Sequence, residues 1–301
     1  MRRPSTSDLG RGRPEQYDPV MHVQWPLIGR DEELAAVQDA MEAPGVSGLV
    51  LAGAAGVGKT RLAREVLARA EERGMMARWA VATQTASAIP FGALAQLLPQ
   101  LDERRPDHVQ LLRWAAAALQ EGVDSRRLIL GVDDAQLLDG TSAALVHQLA
   151  ATSAALVVVT IRSGEPISDA ITALWKDGLA ARLELQPLSY PEVEELIGAV
   201  LGGQIDGLTL HRLWTATQGN PLLLRERVLA GLELGELKRR DDVWRWSGPF
   251  GVSPRLTDLI DARLDRLEGP QRAILELLAA GEPLGPSGPG PAHWPWRDGS
   301  T

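Results

Sequence analysis

An α/β fold, a parallel sheet with helices on both faces, is predicted by three observations. Short apolar runs alternate with stretches of helical spacing across residues 49–186. The first run leads straight into a glycine-rich loop and a well-marked helix. Past Pro187 the apolar pattern turns almost wholly helical, which predicts a second, smaller region after the sheet.

Order is expected to begin near Trp25. Asp31, Glu32 and Glu33 suit the first turn of a helix, and Leu34, Val37, Ala40 and Met41 follow at helical spacing up to Pro44-Gly45. Leu49-Val50-Leu51, between Gly48 and Gly53, reads as a buried strand. Leu62, Ala63, Val66, Leu67 and Ala70 then share a helix face, and Gly74 is its stop. Residues 78–83 read as a second strand, and 91–101 and 109–119 as helices separated by Arg104, Arg105 and Pro106. A third buried strand, 128–132, ends in Asp133-Asp134, and residues 143–149 are helical. Residues 155–161 are a fourth strand ending at Arg162, 167–175 a weakly marked helix, and 182–186 an alternating, edge-like fifth strand. Strands separated by helices imply right-handed crossovers.

Beyond Pro187, Ser189 and Glu192 have capping-box spacing ahead of Val193, Leu196 and Ile197. Gly202-Gly203 separates that helix from one over 208–217. Gln218-Gly219-Asn220-Pro221 is a turn opening a helix through Leu222, Leu223, Val228 and Leu232. Residues 237–246 suggest a small hairpin. Ser253-Pro254 starts a helix with a stripe of Leu256, Leu259, Ile260, Leu264 and Leu267, and a shorter helix covers 271–279. Residues 1–24 and 285–301 read as polar and Pro/Gly-rich tails, the latter with Trp294 and Trp296.

The glycine-rich loop Gly53-Ala54-Ala55-Gly56-Val57-Gly58-Lys59-Thr60 matches the full phosphate-binding pattern in the strand–loop–helix context that it requires. Phosphate oxygens must be approached by several backbone N–H groups at once, and Gly53, Gly56 and Gly58 permit that approach. The helix dipole adds to the attraction. Lys59 is expected to place its charge between the β- and γ-phosphates, and Thr60 to offer a hydroxyl to Mg²⁺. Asp133, at the carboxyl end of an apolar strand, is the candidate metal ligand opposite Thr60. Asp134 is the candidate to orient or deprotonate an attacking water. Arg162, past the fourth strand, is a candidate for the γ-phosphate, provided the third and fourth strands lie beside the first.

The chain has 301 residues, and its 31 basic and 39 acidic side chains leave a net charge of −8, which argues against a broad nucleic-acid surface. With no cysteine, a disulfide framework, a thiolate zinc site and a cysteine nucleophile are excluded, in keeping with a reducing cytoplasm. No apolar run reaches the roughly 18 residues of a membrane span, and the amino-terminal stretch has no secretory apolar core.

Taken together, these motifs resemble the STAND branch of the AAA+ P-loop NTPases, in particular the ATPase region of large ATP-binding regulators of the LuxR type. The matching pieces are LIGRDEEL at 27–34, GAAGVGKT, LILGVDDAQLLD, VVVTIR, LELQPLSYPEVEELI and TQGNPLLLRE, within about 25–284. The resemblance implies ATP and Mg²⁺ as cofactors and an ATPase core over 25–187. It also implies a helical lid with a small hairpin over 188–267, and the start of a winged helix over 268–284. Asp133 would be the Walker B metal ligand, Asp134 the catalytic carboxylate and Arg162 the sensor residue. Ile28, Gly29 and Arg30 would line the base on one side and Asn220-Pro221 would close over it on the other. Arg61 would join the loop residues around the phosphates.

Regulators of this kind continue into helical repeats and a DNA-reading helix-turn-helix, whereas here the chain passes into the Pro/Gly/Trp tail. A shortened form is therefore expected, a switch with slow hydrolysis that binds ATP or ADP and associates with itself or a full-length relative. No direct nucleic-acid or membrane partner is expected. A non-hydrolysing interaction fragment and a small-molecule kinase on the same loop chemistry are the alternatives.

Overall fold

The computed structural model describes residues 25–43, 45–100, 107–123, 126–248, 257, 261, 264 and 269–281. Five strands, β1 (Gly48–Gly53), β2 (Met76–Val81), β3 (Leu128–Asp133), β4 (Leu156–Thr160) and β5 (Ala180–Leu185), form one sheet in the order β2-β3-β4-β1-β5. Every pairing in it is parallel. The run LVVV in β4 is buried on both faces, as a central strand requires. It lies between β1 and β3, so the third strand is one place removed from the loop-bearing strand rather than beside it. β5 is an edge strand with the alternating burial that its sequence predicts.

Alternation along the strands divides the core into two layers. Leu49, Leu51, Ile129 and Val158 face α1 (Asp31–Glu42) and α2 (Lys59–Glu72). Val50, Leu130, Val132, Val157 and Val159 face α3 (His108–Gln120), α4 (Gly140–Ala151) and α5 (Asp169–Lys176). Asp107, Asp139 and Ser168 cap the last three helices through their side-chain oxygens.

The helix expected over 91–101 does not form over its described residues, 91–100. A short 3-10 turn, Gly92–Leu94, stands there instead, and another, Ala86–Ala88, precedes it. Pro90 and Gly92 break the apolar spacing that suggested a helix, and Gly92 packs against the Ala86 carbonyl. Phe91, at φ 58°, buries its ring and donates its N–H to Asp139 Oδ1 at 3.3 Å.

After β5 come α6 (Tyr190–Leu201), β6 (Gln204–Ile205), α7 (Gly207–Thr217), α8 (Pro221–Glu233), β7 (Leu237–Arg240) and β8 (Val243–Trp246). The capping box of Ser189 and Glu192 opens α6. The hairpin β7–β8 is antiparallel, and β6 pairs parallel with β8, a strand too short for its pattern to be legible in advance. This region has its own core of Leu188, Val193, Ile197, Leu213, Leu224, Val228 and Trp246. Trp25 and Ile28 pack on that core, whereas Leu27 packs on the α1/α2 layer, so the segment ahead of α1 touches both regions.

Met1–Phe250 forms one compact unit and Gly251–Thr301 another, whose longest described run is α9 (Gly269–Gly281). Ile274 and Leu275 on α9 are exposed. The tails, Pro44, residues 104–106 and the helix start at Ser253-Pro254 lie outside the described residues. Among the described residues no helix is long and apolar enough to cross a membrane.

Leu188 donates its N–H to the Gly219 carbonyl at 2.9 Å, which ties the exit of β5 to the turn before α8. Gly219 sits at φ 70°, and a Cβ there would run into the Leu188 backbone. Gly219→Ala should therefore cost about 2 kcal/mol. Urea unfolding of the purified variant measures this, and an unchanged midpoint would show that the joint relaxes freely.

Candidate functional site at the carboxyl ends of the strands

Parallel pairing delivers the ends of β1, β3 and β4 to one edge of the sheet. Gly53, the last residue of β1, sits at φ 147°, and the loop after it carries Gly56 at φ 84° and Gly58 at φ 104°, values that a side chain would resist. Gly58 is the N-cap residue of α2, and no side chain caps that helix. Its first N–H groups, at Lys59, Thr60 and Arg61, point toward the loop as an anion site. Lys59 is buried and donates from Nζ to the carbonyls of Gly53 at 2.9 Å and Ala54 at 2.8 Å. Burial pushes the Lys59 ammonium below its ordinary value; Arg162 adds to this and the carboxylates of Asp134, Asp133 and Glu165 oppose it. Arg61 is exposed on the helix flank.

Asp133, the last residue of β3, is buried. Its Oδ1 accepts from Thr60 Oγ1 at 2.9 Å and from Thr160 Oγ1 at 2.6 Å. The hydroxyl of Thr60 and this carboxylate are hard oxygen donors side by side next to the phosphate loop, a set that fits Mg²⁺. Among the described residues no group of three His, Cys, Asp or Glu side chains could hold a metal. A metal here would draw its other ligands from water and from the bound anion.

Asp134 stands just beyond the strand at φ 53°. Its N–H donates to Thr160 Oγ1 at 2.9 Å. Its carboxylate accepts a two-point contact from Arg162, Nε to Oδ1 at 3.1 Å and Nη2 to Oδ2 at 2.8 Å. Gln136 donates from Nε2 to the same Oδ1 at 3.1 Å and accepts the Arg162 N–H on Oε1 at 3.3 Å. Burial alone would raise the Asp134 carboxyl. The hydrogen bonds from Arg162 and Gln136, with the charges of Arg162 and Lys59, outweigh it and hold the group below the ordinary 3.8. Burial would likewise lower Arg162, but its bonds and charge pairing with Asp134 and Glu165 raise it.

Thr160 and Gln136 escaped the sequence reading. A hydroxyl closing a wholly apolar strand was a usable signal for Thr160. Nothing in the sequence marked Gln136, whose reach depends on the left-handed turn at Asp134.

The elements after β5 meet the loop directly. Asn220 caps α8 through its Oδ1, and its Nδ2 donates to the Ala55 carbonyl at 2.9 Å. Leu222 donates its N–H to the Gly56 carbonyl at 3.3 Å, in the first turn of the helix that Pro221 opens. Asn220 is therefore placed against the phosphate loop itself. Ile28 lies on the core of the helical region, Gly29 faces Glu192, and Arg30 is buried. Arg30 donates to the carbonyls of Val57 at 3.1 Å and Gln186 at 2.7 Å and pairs with Glu33 at 2.6 Å, so it braces the loop through the backbone.

Because the folded Asp134 carboxyl is depressed, its contribution to stability is complete above the ordinary value of 3.8 and is lost as the pH falls through the lower folded value. Asp134→Asn should flatten that acid limb. Urea midpoints of both proteins across the acid range measure it, and parallel curves would remove Asp134 from the acid transition.

Residues 26–161 match the family model described as the AAA ATPase domain. No curated protein matches the sequence. Among solved structures, the chain is similar to the Orc1 protein of Aeropyrum pernix, solved in complex with DNA, at 16% identity, 87% coverage of this chain, 74% of that chain and a TM-score of 0.52. It is also similar to Cdc6p of Pyrobaculum aerophilum, at 16% identity, 73% and 65% coverage and a TM-score of 0.52. At such identities the likeness is one of fold. The five-stranded parallel sheet with its helices is the AAA+ P-loop NTPase fold, and within it residues 26–161 are similar to the AAA ATPase domain.

Proposed function

We propose that this chain is an ATP–Mg²⁺-binding regulatory switch with slow hydrolysis, the nucleotide module of a signal-responsive transcriptional regulator of the STAND, LuxR-like type. The observation that carries the reading is the meeting of four groups at one sheet edge. They are the three left-handed glycines before an uncapped helix, Lys59, the Thr60–Asp133 oxygen pair and the Asp134–Arg162 pair. The loop N–H groups and Lys59 would hold the phosphates, and Thr60 with Asp133 would hold Mg²⁺. A metal held by Thr60 and Asp133 would supply charge neutralisation at the phosphate oxygens. Asp134 would orient water, and Arg162 would bear on the γ-phosphate.

The lid reading rests on Asn220 and Leu222, which bond to the carbonyls of Ala55 and Gly56. A phosphate that rearranges the loop would be felt at once by the amino-terminal turn of α8. The base would lie between that turn and Ile28-Gly29, and the region after α8 would lead into a winged helix. Self-association, or pairing with a longer relative, would transmit the state. The alternative of binding without turnover is favoured by one feature: the Asp134 carboxylate is already engaged by Arg162 and Gln136.

A charged contact to phosphate contributes about 1.5–3 kcal/mol. Lys59→Ala should therefore weaken ATP binding by about ten- to a hundredfold, at about 1.4 kcal/mol per decade. Calorimetry checks this, and unchanged affinity would sink the phosphate assignment. Asp134→Asn should still bind ATP but release no phosphate; continued turnover would show that another group positions the water.

A further inference from the structure

Arg162 is the residue expected to bear on a third phosphate, yet its guanidinium is committed to carboxylates. Nε and Nη2 grip Asp134, and Nη1 lies 3.5 Å from Glu165 Oε1. Asp134 is a fixed receptor. Its N–H is bound to Thr160 and its Oδ1 to Gln136, which in turn holds the Arg162 backbone N–H. None of these three bonds involves the Arg162 side chain. The guanidinium can therefore leave while the receptor stays in place, since its stem is flexible.

A guanidinium fork fits phosphate oxygens as well as it fits a carboxylate. We propose that Asp134 is a specificity-determining residue that holds Arg162 in reserve, so that the γ-phosphate must draw the guanidinium away from a carboxylate. The inference rests on the nucleotide reading above. Its consequence is quantitative. The apparent affinity for ATP is reduced by the fraction of time that Arg162 is held, whereas ADP, with no third phosphate, is unaffected. Asp134 thus narrows the margin of ATP over ADP and keeps the site responsive to the ratio of the two. The same exchange releases the Asp134 carboxylate only when a γ-phosphate is present.

The test is a double-mutant cycle on the full chain, with Mg²⁺ and either ADP or a non-hydrolysable ATP analogue, read by calorimetry. Asp134→Asn should tighten the analogue about tenfold, as expected if Arg162 is held about nine-tenths of the time. ADP affinity should stay within about twofold, since the third phosphate that competes for Arg162 is missing. In an Arg162→Met background the gain should vanish. An equal gain in both backgrounds would mean that removal of a negative charge, and not release of Arg162, is responsible. No gain in either would also overturn the proposal. If Asp134→Asn does not fold, Asp134→Ser runs the same cycle. A wild-type chain that binds neither nucleotide overturns the nucleotide reading itself, a result distinct from a wild type that binds both and a variant that shifts neither.

Discussion

Parallel pairing is the constraint on which this molecule depends. The registers of β1 with β4 and of β4 with β3 bring Gly53, Thr160 and Asp133 to one edge, although they are separated widely in the chain. In an antiparallel arrangement alternate ends would point away, and the glycine loop, the carboxylate and the arginine could not meet. The buried LVVV run suits β4 to its place between the other two, though β1 and β3 are buried as fully.

The site gathers charge where solvent is scarce, and it remains stable because each charge has partners. Asp133 accepts two hydroxyls, Lys59 is held by two carbonyls, and Arg162 lies between Asp134 and Glu165. Removing one member of such a set leaves the other buried and uncompensated, which costs more than the pair contributes. The cluster is best regarded as a specifying device rather than a stabilising one. Its bonds run between α2, β3, β4 and the turns that follow them, so a change at one member is passed to the rest.

The helical region after β5 is joined to the loop by hydrogen bonds to backbone carbonyls. Asn220 reaches Ala55 and Leu222 reaches Gly56, while Arg30, ahead of α1, reaches both Val57 and Gln186. Such joints are insensitive to side-chain identity in the loop but sensitive to its shape. Ala54 and Ala55 can therefore be small and featureless without weakening them.

The sequence alone determined the five strands, the loop, the capping box and the residue types that meet at the carboxyl edge. These follow from apolar periodicity, glycine placement and the polar residues that end apolar runs, all properties of neighbours in the chain. It failed over residues 91–100, where burial of Phe91 and its bond to Asp139 outweigh helical spacing. It was silent on β6, on Thr160 and on Gln136. Only the tertiary structure decided that β4 separates β1 from β3, that Arg162 grips Asp134, that Arg30 serves carbonyls and that Asn220 rests on the phosphate loop. Each of these is a contact across at least 26 residues of chain, and such contacts depend on strand order, which no local pattern encodes.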